Sequence, residues 1–204
     1  MKLVLATRNA KKVPEMRAIL ADAGVRAEVL ALDSFPDIPE VPETEATFVG
    51  NARLKARAIA EHTGLPAIAD DSGLAVDELR GMPGVLSARW AGRFGAGDQD
   101  RANLDLLLDQ LFDTPVERRG ARFVCAAVLV MPDGTERVAE GVLRGHLLKE
   151  RRGENGFGYD PVFVPDVPQG ETRTTAQMSA QEKNAISHRG IAFRALAREL
   201  ADLV

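Results

Sequence analysis

The sequence predicts an α/β protein built on a mixed sheet flanked by helices. The short apolar run at residues 67–69 reads as a buried strand, because nothing in it pairs with water, and residues 2–6 read as a first buried strand. Apolar residues at helical spacing, such as Leu104, Leu107, Leu108 and Leu111, mark amphipathic helices between the strands. A long apolar stretch over 121–131, the turn Pro132-Asp133-Gly134 and a returning stretch over 135–149 read as an antiparallel hairpin. Parallel and antiparallel pairing therefore coexist.

Each element has its own cue. The first strand ends at Thr7-Arg8-Asn9-Ala10-Lys11-Lys12, and Val13, Met16, Leu20 and Ala23 continue as a helix stopped by Gly24. Pro14 has no amide proton and fits only a first helical turn, so this helix starts near Lys11 or Lys12. Residues 25–32 read as a second strand. Residues 33–45, with Pro36, Pro39 and Pro42, form a stiff acidic loop able to carry ligands. Thr47 caps a helix that runs to Thr63 and stops at Gly64, with Phe48, Ala52, Ala56, Ile59 and Ala60 as its buried stripe. Asn51 and Lys55 border that stripe, four residues apart. The strand at 67–69 then delivers Asp70-Asp71-Ser72 to its end, where Gly73 turns the chain. Residues 100–112 form a helix and 162–164 a short strand. Ser179 and Glu182 make a capping box, and a last helix opens at residues 187–190 with Phe193, Leu196, Ala197, Leu200 and Val204 on its core face.

At 204 residues the chain suits one sizeable domain or two closely joined lobes. Hydrophobic residues make up 45% and charged residues 27%, which excludes a disordered or fibrous chain. A net charge of −4 argues against sequence-independent binding to nucleic acid or an anionic membrane. Cys125 is the only cysteine, so neither a disulfide framework nor a cysteine zinc site is available, and its apolar surroundings suit a buried inert thiol. With no signal peptide or membrane span in the sequence, a cytoplasmic protein is expected.

The polar clusters suggest chemistry. A strand-to-helix junction at residues 7–12 offers free amides, the positive helix end and Lys12 to an anion, although the glycines of a Walker loop are missing. Asp70 and Asp71 face opposite ways on a strand, and Asp71 is the one expected to reach a metal or a water while Asp70 holds the turn. Lys183, His188 and Arg189 could read the keto edge of a base or a phosphate, or simply solvate a helix end. Phe157-Gly158-Tyr159-Asp160 could supply a stacking ring and a carboxylate, or only a tight turn. With no Ser-His-Asp order or activated cysteine, the simplest chemistry is attack of water on a phosphoryl group, with Mg²⁺ between carboxylates and phosphates and a lysine neutralising charge.

Thr7-x-Asn9-x-x-Lys12, Thr47-Phe48-x-x-Asn51-Ala52-x-x-Lys55-Ala56 and Ala69-Asp70-Asp71-Ser72-Gly73-Leu74 occur in that order. They are followed by Gly81-x-Pro83-Gly84-x-x-Ser87-Ala88-Arg89, Gly156-Phe157-Gly158-Tyr159-Asp160-Pro161 and Lys183-Asn184-Ala185-Ile186-Ser187-His188-Arg189-Gly190. Over nearly its whole length the chain thus resembles the noncanonical purine nucleoside triphosphate pyrophosphatases, the inosine/xanthosine triphosphate pyrophosphatase family. The resemblance implies an elongated mixed sheet in a single two-lobed α/β domain over residues 1–204 with a central nucleotide-binding cleft, usually a homodimer. It implies Mg²⁺-dependent hydrolysis of ITP, dITP and XTP to the monophosphate and pyrophosphate, cleansing the nucleotide pool. By the same resemblance Asp71 is the catalytic carboxylate, and Asp71 and Glu43 are the metal ligands. Thr7, Arg8, Asn9, Ala10, Lys11, Lys12 and Lys55 would hold phosphates, Ser72 would touch the substrate, and Phe157 would stack on the base beside Gly158, Tyr159 and Asp160. Lys183, His188 and Arg189 would read the base. Where the family commonly has Glu-Glu-Thr-Gly, this chain has Pro42-Glu43-Thr44-Glu45. The rival readings are a house-cleaning pyrophosphatase for modified pyrimidine or methylated nucleotides, and a nucleotide-binding regulator without hydrolysis.

Overall fold

A computed structural model describes residues 1–7, 12–92 and 97–203, with the side chains of Lys12 and Glu15 left aside. Its elements run in the order β1 (Lys2–Leu5), α1 (Lys12–Asp22), β2 (Glu28–Ala31), α2 (Phe48–Thr63), β3 (Ala67–Val76) and α3 (Gln99–Gln110). The hairpin strands β4 (Gly120–Val130) and β5 (Glu136–Leu147) follow, then β6 (Phe163–Pro165), α4 (Ala180–Ile186) and α5 (His188–Ala201). The strands form one sheet in the order β2-β1-β3-β4-β5-β6. β1 pairs in parallel with β2 and β3, whereas β5 and β6 pair antiparallel, so the sheet is mixed.

The chain divides into two compact units. Unit 1 comprises Met1–Asp71, Cys125–Gly141 and Ile191–Val204, and unit 2 comprises Ser72–Val124 and Val142–Gly190. Unit 1 has its core where α1 and α5 bury Met16, Leu20, Phe193 and Leu196 against Leu3, Leu5 and Ile68 of the sheet, with Cys125 buried among them. A second cluster in the same unit packs Ala52, Ala56, Ile59 and Ala60 of α2 on Val4, Ala67 and Ala69. Unit 2 buries Leu104, Leu107 and Leu111 of the α3 segment against Leu74, Val76, Leu143 and Phe163.

Local signals explain the element ends. Pro14 falls in the first turn of α1, where its missing donor costs nothing. Thr47 caps α2 by accepting a hydrogen bond from the Gly50 amide, and Gly64 ends it in the left-handed conformation (φ 65°). Ser179 and Glu182 form the capping box of α4. Two expectations are corrected. The second strand is only Glu28–Ala31, because Leu32–Ser34 coil into a 3-10 turn. β3 does not end at Asp70-Asp71 and Gly73 does not turn; the strand runs on to Val76, so Asp70 holds no turn there. Sheet pairing outweighs the local turn preference of Asp-Ser-Gly. In α2, Phe48 is half-buried and Asn51 joins the buried face instead. Val204, assigned to the core face of the last helix, lies outside the described residues.

Candidate active site

Within unit 1, α2 and β3 build a cluster of ionic side chains. Asn51 and Lys55, one helical turn apart, both reach Asp71 on β3. The Asn51 side-chain amide donates to Asp71 Oδ2 at 3.0 Å, and Lys55 Nζ lies 3.7 Å from Asp71 Oδ1. The same ammonium donates to Glu43 Oε1 at 3.0 Å, so the acidic loop before α2 and the strand place two carboxylates around one cation. A second tether holds this loop: the Glu45 amide donates to Asn51 Oδ1 at 2.9 Å. The close seat of the loop on the helix needs Gly50, since a Cβ there would stand 2.6 Å from Glu45 Cβ. Asp70, on the opposite strand face, is buried.

The predicted phosphate-binding junction is only partly visible. Thr7 is buried just beyond β1, its amide donating to the Leu5 carbonyl. Arg8, Asn9, Ala10 and Lys11 lie outside the described residues. Lys12 opens α1, and its side chain likewise lies outside them.

Unit 2 holds a cavity of about 130 Å³, lined among others by Ser72, Phe123, Phe157, Lys183, His188 and Arg189. Phe157 is 66% exposed, and Lys183 Nζ sits 4.9 Å from its ring centroid, a cation on the face of an aromatic ring. His188 stacks on Phe123 (centroids 5.0 Å apart, planes 13°), and an Arg189 guanidinium nitrogen donates to Ser72 Oγ at 3.1 Å. The loop carrying Phe157 is stitched from several sides. Asp160, 2% exposed, accepts from Lys183 Nζ, from the Phe157 amide and from Thr175 Oγ1. Its carboxylate also demands glycine at 156, where φ is +79° and a Cβ would meet Asp160 Oδ2 at 2.1 Å. The Tyr159 hydroxyl donates to the Ser87 carbonyl at 2.9 Å. Burial, with the charge of Asp100 adding to it, pushes the Tyr159 phenol well above its ordinary value, so it remains a donor. Gly158 itself donates to Asp100 Oδ2 at 3.1 Å.

Three of these contributors have no role assigned to them in the sequence. Asp100, Ser87 and Thr175 read locally as helix-start or loop residues, and only contacts over 58, 72 and 15 positions give them a role. Asn51 was noted as bordering the α2 stripe, but its two partners were not legible.

An acid–lysine–acid group suits phosphorylated substrates and a hard cation, and a ring flanked by donors suits a flat base with acceptor edges. These are the fittings of a nucleotide-handling enzyme class. The chain belongs to the Ham1 family, whose model matches residues 3–199. A Streptomyces avermitilis protein named dITP/XTP pyrophosphatase is 61% identical over 203 residues, covering 100% of this chain and 98% of that one. A solved Mycobacterium abscessus nucleoside-triphosphatase / dITP/XTP pyrophosphatase is 52% identical with a TM-score of 0.79, covering 100% of this chain and 98% of that one. The Ham1 protein of Staphylococcus aureus is 37% identical with a TM-score of 0.87, covering 100% of both chains. No helix among the described residues is long and apolar enough to cross a membrane.

Proposed function

We propose that this chain hydrolyses noncanonical purine nucleoside triphosphates, ITP, dITP and XTP, to the monophosphate and pyrophosphate, acting in the cytoplasm as a homodimer that cleanses the nucleotide pool. The observation that carries the reading is the convergence of Glu43, Lys55 and Asp71 about one cationic point, in a chain 61% identical to a protein named for this activity.

Mg²⁺ suits the donor set. Among the described residues no three acidic, histidine or cysteine side chains gather into a dedicated cage. Magnesium commonly takes one or two carboxylates and completes its shell with water and substrate phosphates, so Glu43 and Asp71 would hold it. When bound, the ion supplies neutralising charge to the triphosphate. Asp71 serves as proton acceptor for the attacking water, held there by the Asn51 amide. Lys55 is aimed at the charge that develops on the phosphoryl oxygens. Thr7, Arg8, Asn9, Ala10, Lys11 and Lys12 receive the phosphate chain. Ser72 touches the substrate, Phe157 stacks on the base beside Gly158, Tyr159 and Asp160, and Lys183, His188 and Arg189 donate to its keto oxygen.

A site that donates to O6 faces an amino group when ATP enters, leaving its donors unpaired. Such mismatches reject an analogue by roughly 10⁴-fold or more. A purified-protein assay over natural and deaminated triphosphates, with and without Mg²⁺, should show pyrophosphate rather than orthophosphate release. It should also give kcat/KM for ITP and XTP exceeding that for ATP by about 10⁴-fold. Comparable values for ATP and ITP would overturn the base assignment.

A further inference from the structure

Asn51 is wholly buried (0% exposed) in a helix face otherwise made of alanine and isoleucine. A polar side chain there carries a desolvation cost of roughly 1–3 kcal/mol unless both its ends are satisfied. Both are. The Glu45 partner is a backbone N–H, which can only donate, so the oxygen of the amide must face it and the nitrogen must face Asp71. The orientation is therefore dictated by a group that cannot change role. As a result Asp71 Oδ2 meets a donor, while Oδ1 faces the Lys55 ammonium at 3.7 Å.

Resting on the reading of Asp71 as the catalytic carboxylate, we propose that Asn51 is a positioning residue: it fixes the rotation of the Asp71 carboxylate and locks the acidic loop to the same point. Ala52, Ala56, Ile59 and Ala60 already pack α2 on the sheet without any polar group at 51. A purely packing role would therefore be filled as well by another residue of the same size.

Substituting Asn51→Asp tests the distinction, since it keeps the volume and the acceptor for the Glu45 amide but replaces the donor to Asp71 with an oxygen. The expected result is a fall in kcat of about 10–100-fold, typical of removing the partner that orients a reactive group. KM for ITP should stay within about twofold, as should affinity for a nonhydrolysable ITP analogue measured by calorimetry. A variant with wild-type kcat, or one impaired through KM alone, overturns the proposal. If Asn51→Asp does not fold, Asn51→Leu removes the donor at nearly the same size without adding charge, and a wild-type kcat in that variant overturns the proposal. Asp71→Asn is run alongside. If it turns over like the parent, the assignment of Asp71 has failed; if it is inactive while Asn51→Asp is fully active, only the role of Asn51 has failed.

Discussion

The two units solve different problems with different materials. In unit 1 the candidate chemistry rests on regular elements: α2 and β3 hold Asn51, Lys55 and Asp71, and only Glu43 comes from a loop. In unit 2 the candidate base pocket rests on a loop, residues 156–160, that would have little shape without Asp160, Tyr159 and Asp100. At the first candidate site acids share a lysine, and at the second the buried Asp160 carboxylate meets the half-buried Lys183 ammonium at 2.5 Å. On the proposed reading, the groups assigned to chemistry sit mostly on a helix and a strand, and those assigned to recognition sit on a loop held by contacts over as many as 72 positions. Substitutions should therefore separate cleanly into those that change kcat and those that change KM.

The largest effect belongs to Asp71. Asp71→Asn keeps the size and the place beside Asn51 and Lys55 but removes the proton acceptor, so kcat should fall by about 10³-fold or more while nucleotide affinity largely survives. Steady-state kinetics with calorimetric binding reads both. Near-normal turnover would remove Asp71 from the chemistry and erase the contrast.

Next comes Lys183. Its removal leaves the Asp160 carboxylate buried without its ammonium, which typically costs about 3–5 kcal/mol. Lys183→Met should thus lower the melting temperature markedly as well as raising KM, whereas Phe157→Ala, an exposed position, should leave stability nearly unchanged. For Phe157→Ala the loss of a stacking ring is worth about 1–3 kcal/mol, so KM should rise by about tenfold with kcat little altered. A fall in kcat with unchanged KM in Phe157→Ala would show that the loop takes part in the chemistry.

How legible these sites were in the sequence follows the same division. The α2 cap at Thr47 and its stop at Gly64 were readable because capping is local, whereas Glu43 and the role of Asp71 came from the family resemblance and not from local pattern. The passage of β3 through Ser72 and Gly73 was not, because Asp-Ser-Gly carries turn chemistry and only pairing within the sheet overrides it. Asp100 was equally hidden: an acid in the first turn of α3 reads as a helix-dipole partner, and its bond to the Gly158 amide spans 58 positions. The Lys183–Asp160 pair escaped for that reason too, both members having been assigned to the substrate rather than to each other.

The smallest expected effect lies at the edge of unit 1 and tests whether its charge balance extends beyond the candidate site. Glu136 on β5 receives hydrogen bonds from Arg57 and Arg53 of α2. The bond from Arg57 holds the carboxyl below its ordinary value, with Arg53 adding to it against a counteracting desolvation. A carboxylate depressed by folding contributes stability above its unfolded pKa, and that contribution is lost as pH falls through the folded value. Glu136→Gln should therefore melt slightly below the parent at pH 7, and the two curves should draw together below the ordinary carboxylate range near pH 4. The pair is well exposed on the Arg57 side, so the gap is small and shrinks with added salt. A gap that persisted unchanged at pH 3 would mean that Glu136 supports α2 by packing rather than by charge. The ionic balance of unit 1 would then be confined to Glu43, Lys55 and Asp71.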